Sequence, residues 1–196
     1  NLALQGGGTH GAFTWGVLER LLEDERIVID GVSGASAGAI NAAVLVQGLA
    51  RGGRAGAIEA LGALWRDIAA RMVFSPMQNT PVEKAIWGHD LTWSMAYQAF
   101  DTMTRMFSPY QFNMLPEVFN PMRSLLERHL DCAALRAAPN ANRLYISATN
   151  VRSGKPRIFT RAELSIDAVL ASACLPQVAR AVEIDGEAYW DGGYLG

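Results

Sequence analysis

The pattern of apolar and polar positions divides the chain into short elements that alternate between strand and helix. Leu2-Ala3-Leu4-Gln5 has strand character and enters a glycine tract, Gly6-Gly7-Gly8-Thr9-His10-Gly11. From Ala12 to Glu23, Phe13, Val17 and Leu21 recur at helical spacing, with Trp15, Leu18 and Leu22 widening the apolar stripe. Ile27–Val32 predicts a second strand, then a tight turn through Ser36 and an apolar helix over Ala39–Val46. Arg51–Gly56 reads as a glycine and arginine loop, and Ala57–Met72 as an amphipathic helix with Leu61, Leu64, Trp65 and Ile68 on its core face. Pro121–Leu130 is helical. Arg143–Val151 is the clearest strand, turned by Ser153-Gly154 into an antiparallel partner over Arg157–Thr160. Ser165 N-caps a short helix that stops before Pro176. Val178–Ile184 is a further strand, and Asp185-Gly186 turns the chain into Tyr189-Trp190-Asp191.

Residues 74–121 break this rhythm. Prolines interrupt them repeatedly, and Trp87, Trp93, Met95, Met103, Met106 and Phe112 lie between the breaks. Methionines and aromatics on short helices form adaptable apolar surface. Two readings stand: a second layer of core, or a cap that lines an apolar channel.

Composition narrows the class. The chain has 196 residues, half of them hydrophobic, which is enough for one well-formed core and predicts a single domain over 1–196. A net charge of −2 with no Lys/Arg cluster argues against nucleic acid as a partner. Two cysteines, Cys132 and Cys174, supply neither a disulfide framework nor metal-ligand spacing, so no metal and no cofactor is expected. They suit a reducing compartment. No apolar run approaches the roughly 20 residues of a membrane span, and no signal peptide is visible. A cytoplasmic or peripheral membrane location is the expectation. The sequence opens already strand-like and stops in a glycine-rich turn, so both ends are expected to be cut.

The chemistry concentrates in three places. Gly34-x-Ser36-x-Gly38, between a strand and a helix, is the nucleophile-elbow pattern, in which a serine sits on a sharp strained turn above the sheet. The tract from Gly6 to Gly11 admits two uses. Gly6, Gly8 and Gly11 have the spacing of a dinucleotide fingerprint, with Asp30 nearby as a ribose ligand. A glycine loop just before a serine elbow also suits an oxyanion hole made of backbone N–H groups. The third place concerns the base. His10, His89 and His129 all stand outside the late position that a Ser–Asp–His order requires. Asp191, at a strand end and followed by Gly192 and Gly193, is the carboxylate alternative, although Asp-Gly is more often a plain turn.

Taken together these pieces resemble the patatin-like phospholipase family. Gly6-Gly7-Gly8-Thr9-His10-Gly11 is similar to its glycine-rich oxyanion motif, Gly34-Ala35-Ser36-Ala37-Gly38 to its elbow, and Asp191-Gly192-Gly193 to its Asp-Gly-Gly/Ala motif. Ala171-Ser172-Ala173-Cys174-Leu175-Pro176 is similar to the Ala-Ser-x-x-x-Pro stretch that precedes the last catalytic strand. The motifs span nearly the whole chain in the family's order. The resemblance implies a three-layer α/β/α sandwich around a mainly parallel sheet, and hydrolysis of lipid or phospholipid acyl esters. It also implies a Ser36–Asp191 dyad without histidine, and an oxyanion hole from Gly6, Gly7 and Gly8, with Ala37 as a further donor. Gly11, Gly34, Gly38, Gly192 and Gly193 are then motif support, while 74–121 keeps both readings, a core layer or an apolar cap over an acyl-chain channel. Two departures stand out: His10 replaces the family's Arg or Lys, and the chain stops just past Asp191. A non-catalytic lipid-binding relative and a dinucleotide-binding protein are the alternatives.

Overall fold

The computed structural model describes residues 1–71, 79–88, 90–106, 121–177 and 179–194. Strands β1 (Leu2–Leu4), β2 (Gly31–Ala35) and β3 (Arg143–Asn150) lie side by side and parallel, with Leu4 opposite Gly34 and Ala35 opposite Ser147. Strand β4 (Pro156–Thr160) returns antiparallel along β3, from Thr160 opposite Tyr145 to Pro156 opposite Thr149. Strands β5 (Val182–Ile184) and β6 (Glu187–Asp191) form a hairpin, and β6 pairs antiparallel with β3 from Asp191 opposite Ala148 to Tyr189 opposite Asn150. The hairpin turn has Asp185 at φ 52° and Gly186 at φ 78°, the double positive φ that matches strand twist in a two-residue loop. Thus β1, β2, β3 and β5 run one way and β4 and β6 the other.

This register has a consequence for the site. At Tyr145–Ser147, β3 carries β2 on one edge and β4 on the other. At Ala148 and Thr149, β4 continues along its own edge, so β6 occupies the edge that β2 has just left. Strands β2 and β6 therefore share one lane beside β3, and their C-terminal ends face each other. The residues that follow Ala35 and Asp191 meet there.

Helices α1 (Gly11–Glu23), α2 (Ala37–Arg71) and α7 (Ile166–Ser172) supply most of the packing, with α5 (Pro121–His129) and α6 (Cys132–Ala137) beside them. Helix α2 is a hairpin of two helical halves. Gly52 (φ −146°, ψ 21°) and Gly53 (φ 60°, ψ −148°) break it, and a β-carbon on Gly48 would come within 2.5 Å of Ala57 Cα. Residues nine apart touch in this way only if the chain folds back on itself. The expected loop over Arg51–Gly56 thus shrinks to Gly52 and Gly53. Arg54 is already helical and acts as a clamp, donating from Nη1 to the Leu22 and Asp24 carbonyls at 3.0 Å each and from Nη2 to that of Ile27. Those carbonyls belong to the end of α1 and the chain beyond it, where a helix leaves acceptors without intrahelical partners; that of Asp24 also accepts from Ile27 N at 3.1 Å. The clamp also explains why the expected strand Ile27–Val32 starts later, at Gly31, where pairing with β3 begins.

The core joins α2 and α7 to one face of the sheet through Val44, Leu61, Leu64, Leu144, Ile146 and Leu170. The other face carries Tyr145 and Ile158, both exposed. In α1 the buried positions are Gly11, Leu18 and Leu22, whereas Phe13 and Val17 face solvent, so the core stripe is the neighbouring one to that read from spacing. Ser165 N-caps α7, its side chain accepting from Ala168 N, and β5 begins at Val182; Val178 lies outside the described residues, as do Met72, His89 and Phe112. Helices α3 (Pro81–Trp87) and α4 (Met95–Met106) hold the described part of 74–121. Val82, Ile86, Trp93, Met95, Met103 and Met106 are exposed there, so these residues are not a second layer of core.

Candidate active site

Ser36 sits between β2 and the first turn of α2 with φ 56°, a left-handed backbone that costs a non-glycine residue about 1–3 kcal/mol. Its surroundings hold it there. The Ser36 carbonyl accepts from Ala39 N at 2.9 Å and Ile40 N at 3.3 Å, the start of α2. Its N–H donates to both the carbonyl and the hydroxyl oxygen of Ser172, each at 3.0 Å. The flanking glycines permit the crossing: a β-carbon on Gly34 would lie 2.4 Å from Gly38 O, and one on Gly38 would lie 2.1 Å from Leu4 O. Both are well inside van der Waals contact. The elbow motif is therefore a packing requirement between β1, β2 and α2.

The glycine loop lies against the same serine. A β-carbon on Gly6 would stand 2.8 Å from Ser36 Cβ and 3.5 Å from its Oγ. Gly7 (φ 138°) and Gly8 (φ 57°) carry backbone that side-chain residues rarely adopt. A short turn over Gly8–His10 follows, closed by His10 N donating to Gly7 O at 3.1 Å. His10 Nδ1 also lies 3.0 Å from that carbonyl, which can only accept, so Nδ1 carries the proton. The loop's far end is pinned by Asn41, fully buried in α2. Its Nδ2 donates to Gly11 O at 3.0 Å, and its Oδ1 accepts from Trp65 Nε1 at 2.8 Å.

Asp191 reaches this place from the opposite direction along the shared lane. It is 3% exposed. Its N–H donates to Cys174 O at 2.9 Å, and its carbonyl accepts from the Thr149 hydroxyl at 2.9 Å. Carboxylate Oδ1 accepts from Gly193 N at 2.8 Å. Oδ2 is buried without a partner among the described residues, so Ser36 Oγ does not bond to it here. The following Gly192 closes the gap between the strands: a β-carbon there would lie 2.3 Å from Ser147 O and 3.1 Å from Ala35 Cβ. Gly193 supplies its N–H to the carboxylate.

The other candidates fall elsewhere. His129 Nε2 lies 3.0 Å from Asp67 Oδ2, in a cluster where Arg71 and Arg128 also reach that carboxylate. Hydrogen bonds from His129 and Arg71 hold the Asp67 pKa below its ordinary value. His89 lies outside the described residues. Asp30 precedes β2 and pairs with Arg143, whereas the glycine loop follows the C-terminal end of the parallel neighbour β1. One strand length, roughly 15 Å, separates the two. That separation removes the ribose ligand from the dinucleotide reading. Burial pushes the Cys174 thiol up to about 11, and the Asp191 charge adds to it. Burial raises the Cys132 thiol as well, so neither is a thiolate nucleophile at neutral pH. Among the described residues no group of three His, Cys, Asp or Glu side chains could hold a metal ion.

The structure brings the expected Ser36, Asp191 and Gly6–Gly8 to one place and adds Ser172, Thr149 and Asn41, which the sequence does not single out, as their hydrogen-bonding supports. Ser172 lay inside a motif noticed for its resemblance alone. Asn41 stands in an apolar helix where one polar residue among small ones was the available signal.

The patatin-like phospholipase family model matches residues 2–196. No curated protein sequence matches the chain. Among solved structures, VipD from Legionella pneumophila is similar with a TM-score of 0.53 at 17% identity, over 100% of this chain and 46% of that one. ExoU, in its heterodimeric complex with SpcU from the type III secretion system of Pseudomonas aeruginosa, matches with a TM-score of 0.38 at 23% identity, over 88% and 35%. This chain thus spans less than half the length of either. The family match over nearly every residue, together with a fold shared with VipD, gives the assignment: the chain belongs to the patatin-like phospholipase family.

Proposed function

We propose that this chain is a serine hydrolase of lipid acyl esters, a phospholipase A, lysophospholipase or esterase, working through Ser36 and Asp191. The observation that carries the reading is the buried Asp191 carboxylate. One of its oxygens is tied to Gly193 N and the other is free to accept, at the place where β6 runs head-on into the Ser36 turn. Family membership supports a lipid substrate. Ser36 Oγ attacks the acyl carbonyl while Oδ2 of Asp191 takes its proton. The tetrahedral oxyanion is held by N–H groups of the Gly6–Gly8 loop and Ala37, where one donor is worth about 2.7–4 kcal/mol. Collapse breaks the ester bond, and Asp191 returns the proton to the departing alcohol. Water then attacks the acyl-serine, gives its proton to Asp191, and the fatty acid leaves as Ser36 is reprotonated. Catalytic hydrogen bonds often tighten only when substrate is bound, which is the step that brings Ser36 Oγ onto Asp191 Oδ2.

A single contiguous core supports reading 1–196 as one catalytic domain, with the exposed helices at 79–106 as its cap on the lipid side. Among the described residues no helix is long and apolar enough to cross a membrane, and contact with lipid would be peripheral. The test is labelling by a fluorophosphonate probe together with hydrolysis of a short-chain nitrophenyl ester. Ser36→Ala should lose both, and Asp191→Asn should lose turnover while keeping its thermal transition. Undiminished labelling of Ser36→Ala would remove the serine from the reading, and full turnover by Asp191→Asn would remove the dyad.

A further inference from the structure

The geometry assigns Ser172 the task of setting Ser36 against Asp191, a role that rests on the hydrolase reading above and deepens it. Ser172 ends α7, is fully buried, and lies on no strand of the shared lane. Its hydroxyl is nonetheless the link across it. The Ser36 N–H donates to Ser172 Oγ at 3.0 Å, and that hydroxyl has one proton, which goes to Ser147 O at 2.7 Å. The polarity is thus fixed: Ser36 N–H to Ser172 Oγ, then Ser172 O–H to Ser147 O. Bonds chained in this way polarise and strengthen one another. Ser147 O is also the atom against which Gly192 is packed, so the carbonyl that receives the Ser172 proton positions the residue next to Asp191.

Two residues further on, Cys174 O accepts the Asp191 N–H at 2.9 Å. The segment from Ser172 to Cys174 therefore receives the main-chain N–H of both site residues. These residues come from strands that approach end to end and share no ladder with each other. Pairing with β3 sets Ala35 and Asp191 opposite the adjacent residues Ser147 and Ala148, but the ladder of β2 ends at Ala35 and does not orient the Ser36 turn beyond it. The Ser172 hydroxyl does so, and it does so at a backbone held in a strained left-handed conformation. Tying the Ser36 N–H orients the 35–36 peptide, and with it the direction of the Cα–Cβ bond. Ser172 touches neither substrate nor the reacting atoms in this scheme; it is a positioning residue.

Removing the hydroxyl should leave the fold and misplace the nucleophile, because Ser36 N keeps the Ser172 carbonyl as an acceptor. A misplacement of about 1 Å costs up to roughly 100-fold in rate. In the full chain, Ser172→Ala is expected to lower kcat on the nitrophenyl ester by about 10–100-fold at unchanged KM, and to slow fluorophosphonate labelling in parallel. The sharper measurement is a cycle with Asp191→Asn, read as the rate of fluorophosphonate labelling of Ser36, since that background is expected to lose turnover. If Ser172 acts by setting Ser36 against Asp191, Ser172→Ala should cost little more once the carboxylate is gone. A merely structural role would slow labelling by the same factor in both backgrounds. Ser172→Cys keeps the shape with a weaker donor and carries the same comparison if Ser172→Ala does not fold. Wild-type kcat in the folded variants, or equal losses in the two backgrounds, overturns the assignment. Ser36→Ala with full turnover would instead overturn Ser36 as the nucleophile, and a wild-type chain without turnover the hydrolase reading, so these failures are distinct from that of Ser172.

Discussion

Around Ser36, buried polar side chains are spent on main-chain groups. Ser172 receives one N–H, Asn41 holds Gly11, and Thr149 holds the Asp191 carbonyl. Residues 79–106 are built the other way. Among those described, Ser94 alone is buried, and Val82, Ile86, Met95, Met103 and Met106 stand in solvent. Hydrogen bonding there includes local capping, as in the Thr80–Glu83 capping box that starts α3. A site that depends on angles needs supports whose rotamers are locked by burial, whereas a surface that meets varied chains needs apolar area without fixed partners. The contrast predicts where mutation should be felt as stability and where as substrate choice.

The largest effect should come at the crossing of β1 with α2. Gly38→Ala places a β-carbon 2.1 Å from a backbone carbonyl, which no rotamer change can relieve. A loss of about 3 kcal/mol or more is expected, read as a shift in the urea midpoint at constant slope. In the other region, Gly88→Ala meets no atom within 4 Å, although its φ of 64° strains any side chain. Its cost should stay near 1 kcal/mol. Similar losses at the two glycines would erase the distinction.

Next comes Asn41. Replacing it with Leu leaves Trp65 Nε1 buried without its acceptor and takes from Gly11 O the bond it makes beyond the helix, and the orphaned indole N–H alone costs about 1–3 kcal/mol. Trp65→Phe removes only the donor and should cost less. Because Asn41 also anchors the glycine loop, Asn41→Leu should reduce kcat beyond what its stability loss explains, measured at a temperature where the variant is fully folded. An unchanged kcat would make the pair a core contact alone.

These supports separate what the sequence could disclose from what it could not. The elbow, the glycine loop and Asp191 were legible because each needs particular residue types at fixed local spacing. The strand–turn–strand of β3 and β4 and the N-cap at Ser165 were legible for the same reason. The meeting of β2 and β6 was not, since two strands sharing one edge of a third is a matter of register between distant segments. Nor was the hairpin in α2, where Gly52 and Gly53 looked like the middle of a longer loop and Arg54 gave no sign of the carbonyls it caps. In α1, two apolar stripes lay side by side, and only packing against α2 decides that Leu18 and Leu22 turn inward while Phe13 does not.

The smallest effect on stability, and the one that tests the cap, is expected on α4. Met103 and Met106 are three residues apart, so they share a face of the helix, and both are more than half exposed. Met103→Gln with Met106→Gln keeps side-chain length and helix propensity while removing apolar surface. With more than half of each side chain already in solvent, the double variant should unfold within about 0.5 kcal/mol of the parent. If this face meets lipid, hydrolysis of a long-chain ester presented in micelles should fall several-fold while a soluble short-chain ester is turned over at the parent rate. The split between the two substrates is the informative quantity, since the supports of Ser36 and Asp191 are untouched. Equal losses on both would tie α4 to the chemistry itself, and no loss on either would take residues 79–106 out of the cap reading.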